Sequence, residues 1–124
     1  MFEIFVEDKF SAAHNLMNYR GKCEKLHGHN YRVQVFAAGK RLGGSGMLLD
    51  FTVLKKELSK TLERLDHGYL NEIKPFDEVN PTAENIAKYI HGRLKPEVAG
   101  GGVNLIKVSV WETETNCATY YEER

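Results

Sequence analysis

The period of the apolar residues changes twice along this chain, and the two changes bound the folds open to it. Before Asp50 apolar and polar residues alternate, with Phe2, Ile4 and Val6 against Glu3, Phe5 and Glu7, then Val33, Val35 and Ala37 against Arg32, Gln34 and Phe36. That two-residue period is the mark of half-buried strands. From Phe51 onward the spacing is helical: Phe51, Leu54, Leu58, Leu62 and Leu65 form one stripe, with Lys55, Lys56, Lys60 and Arg64 elsewhere on the wheel. Asp50 is suited to cap that helix. A second stripe, Ala83, Ile86, Ala87, Ile90 and Leu94, is opened by Thr82 as cap with Glu84 in the first turn, and Pro96 is expected to stop it. Alternation returns after Val103, with Ile106, Val108 and Val110 on one face and a last strand over Cys117 to Glu122. Met47-Leu48-Leu49 reads as a short buried strand, and the glycines of Gly39 to Gly46 as a flexible turn. Strands that flank two consecutive helices predict an α+β domain: an antiparallel four-stranded sheet with both helices on one face. No repeat, linker or low-complexity tract divides residues 1–124, so a single domain is expected.

Ser11 to His29 follows neither period. It carries turn formers (Asn15, Asn18, Gly21) and holds His14, Cys23, His27 and His29. An irregular stretch of about 20 residues inside a small domain is usually functional when it is not disordered. Three of the chain's five histidines and one of its two cysteines lie here, which favours the functional reading.

His27 and His29, two apart on extended backbone, present their imidazoles on one side at a separation a single metal bridges. A His-x-His pair alone is more often an ordinary strand pair. His14, the third candidate, and Cys23 strengthen the metal reading, and zinc accepts three histidines readily. Cys23 then decides the kind of site. As a fourth ligand it closes a structural centre; as a free thiol it leaves an open, catalytic one with a nucleophile or base beside it.

Two further groups stand out. Asp66-His67 follows the first helix, where a carboxylate next to an imidazole is equally a capping arrangement or a proton-relay pair able to lower a thiol's pKa. Glu112 continues the apolar strand face of Val108 and Val110, where a carboxylate is costly unless paired or at the strand end. A carboxylate there also suits a ring presenting adjacent N–H and amino donors. His91 reads as a helix-surface histidine, Cys117 as a small buried hydrophobe, and the Lys55, Lys56, Lys60 cluster as a solvated helix face.

Composition excludes several partners. Lys+Arg and Asp+Glu balance at 17 each, so no net field draws nucleic acid or an anionic membrane. No apolar run nears the roughly 20 residues of a membrane span. The start Met1-Phe2-Glu3-Ile4-Phe5 lacks the regions of a signal peptide, which makes a cytoplasmic protein with reduced cysteines the expectation.

Six motifs in order, Phe10-Ser11-Ala12-Ala13-His14, Cys23-Glu24-Lys25-Leu26-His27-Gly28-His29-Asn30-Tyr31, Met47-Leu48-Leu49-Asp50-Phe51, Leu65-Asp66-His67, Pro81-Thr82-Ala83-Glu84-Asn85 and Trp111-Glu112-Thr113, resemble the 6-pyruvoyl-tetrahydropterin synthase family over the whole chain. Within it the chain is most similar to the bacterial 6-carboxy-5,6,7,8-tetrahydropterin synthases of the queuosine precursor pathway. The resemblance implies the tunnelling fold, a ββααββ unit, assembled as a homohexamer of two trimers with active sites between subunits. It implies a lyase that converts 7,8-dihydroneopterin triphosphate to 6-carboxy-5,6,7,8-tetrahydropterin, releasing triphosphate and acetaldehyde. By the family's motifs His14, His27 and His29 hold Zn2+, Cys23 accepts the proton, and His67 with Asp66 and Glu112 completes the catalytic set. Glu112, Thr82 and Glu24 are the substrate-facing positions. Glu24, three residues before His27, matches a glutamate that replaces the cysteine in a folate-branch relative. A 6-pyruvoyl-forming synthase and folate-type side-chain cleavage are therefore the alternative reactions. A zinc-stabilised assembly subunit without activity is the alternative of another class.

Overall fold

The computed structural model describes residues 1–17 and 25–123; Cys23 and Glu24, with the rest of 18–24, lie outside the described residues. Two 13-residue strands, β1 (Phe2–His14) and β2 (His27–Gly39), pair antiparallel from Phe2 opposite Gly39 to His14 opposite His27. Then come α1 (Phe51–Glu63), the two-residue strand β3 (Gly68–Tyr69), a single 3-10 turn (Leu70–Glu72), α2 (Ala83–Val98), β4 (Asn104–Trp111) and β5 (Cys117–Tyr120). The sheet order is β3-β1-β2-β4-β5.

β1-β2-β4-β5 is the expected four-stranded antiparallel sheet; β3 adds a fifth strand, parallel to β1 through Ala12 and Ala13. Two residues carry no periodicity to read, which is why this strand has no signature in the sequence. α1 packs over β1 and α2 over β4 and β5, so both helices cover one face. Between sheet and helices lies an apolar core in which Val33, Val35, Leu54, Leu58, Ile86 and Val108 are fully buried. Each such side chain contributes about 1.5–3 kcal/mol relative to exposure.

The helix caps are the expected ones. The Asp50 carboxylate accepts from the Thr52 backbone N–H at 2.8 Å, and the Thr82 hydroxyl accepts from the Asn85 N–H at 3.1 Å. Phe51, expected in the inward stripe, is 57% exposed. Helical side chains lean toward the N-terminus, so a first-turn residue leans past the end of its own helix. Pro96 does not stop α2, which runs to Val98. In the last turn proline removes one hydrogen bond, from the exposed Gly92 carbonyl, and the ladder resumes with Ala99 N–H to Lys95 O at 3.2 Å.

The strands correct four expectations. β1 runs on to His14 and β2 starts at His27, so the irregular stretch is shorter than its aperiodicity suggests. Ala12, Ala13 and His14 continue the alternation with side chains that hydropathy does not register. In β4, Leu105 instead of Ile106 joins Val108 and Val110 in the core, because the register shifts at Phe36/Ala37: Lys107 opposes Phe36 while Leu105 opposes Ala37, leaving Ile106 as the bulged residue. Met47-Leu48-Leu49 forms no strand; Leu48 and Leu49 pack against the core from an irregular segment, and Met47 is exposed. Cys117 is exposed, since Ala118 and Tyr120 are the β5 residues turned to the helices.

His91 is corrected as well. It is buried in α2, not on its surface, with its ring 5.0 Å from that of Tyr120 on β5.

The face turned away from the helices is open and carries paired aromatic and polar groups. Phe5 and Phe36 rings lie 5.2 Å apart, the Arg32 guanidinium sits 4.4 Å over Trp111, and Glu7 accepts from Arg32 and Gln34.

Candidate active site

Strand register assembles the site. Phe10, Ala12 and His14 on β1 stand opposite Tyr31, His29 and His27 on β2, and the two-residue period puts all six on the helix-covered face. Trp111 pairs with Arg32, so Glu112, the first residue after β4, emerges beside Tyr31 on the same face. Its backbone N–H closes the β4–β5 turn on Asn116 O at 3.1 Å. One ligand atom from each of His14, His27, His29 and Glu112 falls within 4.8 Å of the others. The three expected metal ligands therefore come together, and Glu112 joins them.

The hydrogen bonds determine which ring atoms face the centre. His14 Nδ1 lies 2.7 Å from Pro81 O and His27 Nδ1 2.8 Å from Lys25 O. A carbonyl only accepts, so both Nδ1 atoms carry the proton and both Nε2 atoms present lone pairs. Yet those two Nε2 atoms face each other at 3.0 Å. Two nitrogens at that distance need a proton or a metal ion between them. An imidazole that donates its far N–H to a carbonyl and turns its other nitrogen to a common point is the usual setting of a metal ligand. The residues thus fit a metal, and neutral imidazole with a carboxylate nearby fits zinc in particular. His29 Nε2 lies 3.0 Å from Glu112 Oε1 at the more open side of the cluster.

Tyr31 and Pro81 were not singled out for this role by the sequence. Tyr31 is fully buried, its ring stacked on Phe10 at 4.7 Å, its hydroxyl 3.2 Å from His14 Nδ1 and 3.5 Å from Nε2. Burial, and then the Glu112 carboxylate, push the phenol above its ordinary range, so it remains a neutral O–H. Pro81 matters through its carbonyl, one residue before the Thr82 cap. The start of α2 is thereby tied to His14, and Thr82 itself serves as a helix cap.

Two asparagines steer the chain as it leaves the site. Asn71 pairs with both the N–H and the carbonyl of Asn15, at 3.0 and 2.8 Å. Asn80 does the same for Met17, at 2.6 Å in each direction. Each side-chain amide acts as a short stretch of strand, holding the backbone that leads toward residues 18–24. Nothing in the sequence assigns either asparagine a role.

Asp66 and His67 lie elsewhere. Asp66 accepts the Ser11 backbone N–H at 2.9 Å and contacts His67 Nδ1 at 3.0 Å, while the His67 N–H donates to Ser11 O at 2.6 Å. The Ser11 amide, ahead of His67, holds the Asp66 carboxyl below its usual range. His67 takes φ +59, the left-handed conformation that ends a helix, at a cost of roughly 1–2 kcal/mol in a non-glycine residue. It lines a shallow cavity with Ser11, Ala12, Ala13, Gly28, His29, Asn30 and Gly68. Neither Asp66 nor His67 belongs to the cluster of His14, His27, His29 and Glu112, and the His67 side chain is 83% exposed.

A sequence profile of 6-pyruvoyl tetrahydropterin synthase matches residues 3–123. The chain belongs to the 6-pyruvoyl tetrahydropterin synthase family. It is 40% identical over 129 residues to the 6-carboxy-5,6,7,8-tetrahydropterin synthase of Synechocystis sp., covering 100% of this chain and 96% of the relative. The Bacillus subtilis protein of the same name is 32% identical, covering 96% of this chain and 84% of the relative. Among solved structures, Caenorhabditis elegans 6-pyruvoyl tetrahydropterin synthase superposes with a TM-score of 0.84 at 31% identity, covering 98% of this chain and 96% of that one. The Plasmodium vivax 6-pyruvoyl tetrahydropterin synthase does so at 0.81 and 25%, covering 99% and 98%. The architecture is the family's tunnelling fold, and the chain is a lyase of that family. Among the described residues no helix is long and apolar enough to cross a membrane.

Proposed function

We propose that residues 1–124 act as a single-domain, zinc-dependent lyase that converts 7,8-dihydroneopterin triphosphate to 6-carboxy-5,6,7,8-tetrahydropterin, releasing triphosphate and acetaldehyde in queuosine precursor synthesis. The observation that carries the reading is the pair of Nε2 lone pairs of His14 and His27 at 3.0 Å, beside His29 and Glu112. The two 6-carboxy relatives named above support the branch.

His14, His27 and His29 hold Zn2+, which when bound supplies a Lewis acid that makes C–H bonds beside a coordinated oxygen more acidic. Cys23 takes the proton as thiolate. Glu112 anchors the pterin ring through its adjacent N–H and amino donors, positioning the side chain for reaction. Thr82 fixes the start of α2 beside the site, and Glu24 borders the substrate. Asp66 and His67 relay the proton, and they do so from another copy, since neither belongs to the histidine cluster of its own chain. This supports an assembly with sites between subunits, a homohexamer of two trimers. The enzyme works in the cytoplasm on a small molecule, without nucleic acid or membrane.

The C. elegans and P. vivax structures favour a second reading, in which the product is the 6-pyruvoyl pterin. Incubation with 7,8-dihydroneopterin triphosphate and mass spectrometry of the products separates the two. The 6-carboxy product with acetaldehyde is expected; the pyruvoyl product alone rejects the first reading, and release of a side-chain aldehyde with a 6-hydroxymethyl pterin points to folate-type cleavage.

A further inference from the structure

We infer that Trp111, clamped by Gln34 and Arg32 on the sheet face turned away from the helices, is a positioning residue for Glu112 and so sets the grip on the pterin ring. The inference rests on the proposed function and names what holds its ring anchor in place.

β4 meets β2 for the last time where Trp111 pairs with Arg32. Glu112 lies one residue beyond that rung, yet its Oε1 stands 3.0 Å from Nε2 of His29 on β2. Its backbone N–H bonds to Asn116 O, inside the β4–β5 turn, which ties it to its own hairpin and not to β2. The place of the carboxylate against the histidines therefore depends on how firmly the end of β4 is held to β2.

Side chains supply that hold. The Trp111 Nε1–H donates to Gln34 Oε1 at 3.0 Å, and the Arg32 guanidinium covers the same indole at 4.4 Å. Glu7 on β1 accepts from Gln34 at 2.9 Å and from Arg32 at 3.1 Å. An indole N–H only donates and a carboxylate only accepts, so a single orientation of the Gln34 amide serves both neighbours. The Gln34 amide, ahead of Arg32, holds the Glu7 carboxyl below its usual range, which keeps it an acceptor. Four half-buried side chains thus close a ring across β1, β2 and β4.

Cross-strand contacts of this kind strengthen any sheet. The position of this ring gives it a further consequence. It locks the rung next to Glu112, and alternation along the strand turns Trp111 to one face and Glu112 to the other, where the histidines are. Phenylalanine at 111 would still offer Arg32 an aromatic face but has no N–H for Gln34. The indole N–H is the part of the clamp that the inference singles out.

The test measures neopterin affinity and zinc content for wild type, Trp111→Phe, Gln34→Leu and Glu112→Ala, and for Glu112→Ala combined with each of the other two. Trp111→Phe and Gln34→Leu each remove the same hydrogen bond, so either one carries the test if the other fails to fold. Each is expected to weaken neopterin binding about fivefold, the scale of one hydrogen bond between neutral groups, with zinc content unchanged. In the Glu112→Ala background neither adds a further loss, because the group they position is gone. An equal loss with and without Glu112, no loss in either variant, or a fall in zinc content overturns the inference and leaves the proposed function standing. Neopterin affinity unaltered by Glu112→Ala alone overturns the ring-anchor role of Glu112 together with the inference built on it.

Discussion

His14 and His67 differ sharply in exposure, the first fully buried and the second 83% exposed beside Ser11, outside the histidine cluster. The relay proposed for His67 therefore runs between copies of the chain. Cys23→Ala and His67→Ala variants are each expected to be inactive. Hetero-oligomers refolded from an equal mixture should regain about one quarter of wild-type activity, because random assembly pairs an intact Cys23 with an intact His67 in about a quarter of sites. No recovery in the mixture would exclude a shared site.

The opposed Nε2 atoms of His14 and His27 predict that a metal stabilises the fold. Treatment with a chelator should lower the melting temperature, and zinc restored to about a hundred times its Kd should return about 2.7 kcal/mol. His27→Ala should abolish that response. An unchanged melting temperature after complete metal removal sinks the metal centre.

Cys23 decides between catalysis and structure. Cys23→Ala is expected to keep its zinc, measured by elemental analysis, and to lose turnover by several orders of magnitude. If zinc is lost instead, the thiol is a fourth ligand and the centre is structural.

Thr82 links helix stability to the site. Thr82→Ala removes the cap and should cost about 1 kcal/mol in urea unfolding. Pro81 O, which holds His14 Nδ1, sits one residue away, so zinc affinity should weaken as well. Thr82→Ser should restore both. A stability loss with unaltered zinc affinity would uncouple the α2 start from the metal.

His91 gives the fold a pH dependence of its own. Burial against Tyr120 lowers its pKa from 6.5, with Lys95 adding to the effect and the Glu122 carboxylate opposing it. The unfolded chain therefore takes up a proton at higher pH than the folded one. The stability associated with this group is complete above about 6.5 and falls as pH drops below it, levelling once the folded histidine also protonates. The slope is at most about 1.4 kcal/mol per pH unit. In metal-free protein, urea unfolding from pH 7.5 to 5 should show a shallower decline for His91→Phe than for wild type. Parallel curves would contradict the assignment.

The element order, both helix caps, the pairing of helices on one face and the three clustered histidines were legible because each is local. Alternation, helical spacing and capping chemistry all operate within a few residues. The departures are not local. Ile106 yielded its place in the core to Leu105 because of a bulge opposite Phe36/Ala37, and His91 is buried because Tyr120, far along the chain, covers it. β3 exists only through pairing with β1.

For the site, the residues of chemistry were set by the chain itself: a His-x-His pair, a third histidine, a carboxylate in phase with an apolar strand. Three things were decided only in three dimensions. The Pro81 and Lys25 carbonyls select which histidine nitrogen faces the centre, and the long hairpin register brings His14 opposite His27. The fold leaves Asp66 and His67 outside the histidine cluster of their own chain. Lys25 is a near neighbour of His27, but Pro81 is distant from His14, and no periodicity in the residues themselves encodes hydrogen-bond direction or strand register.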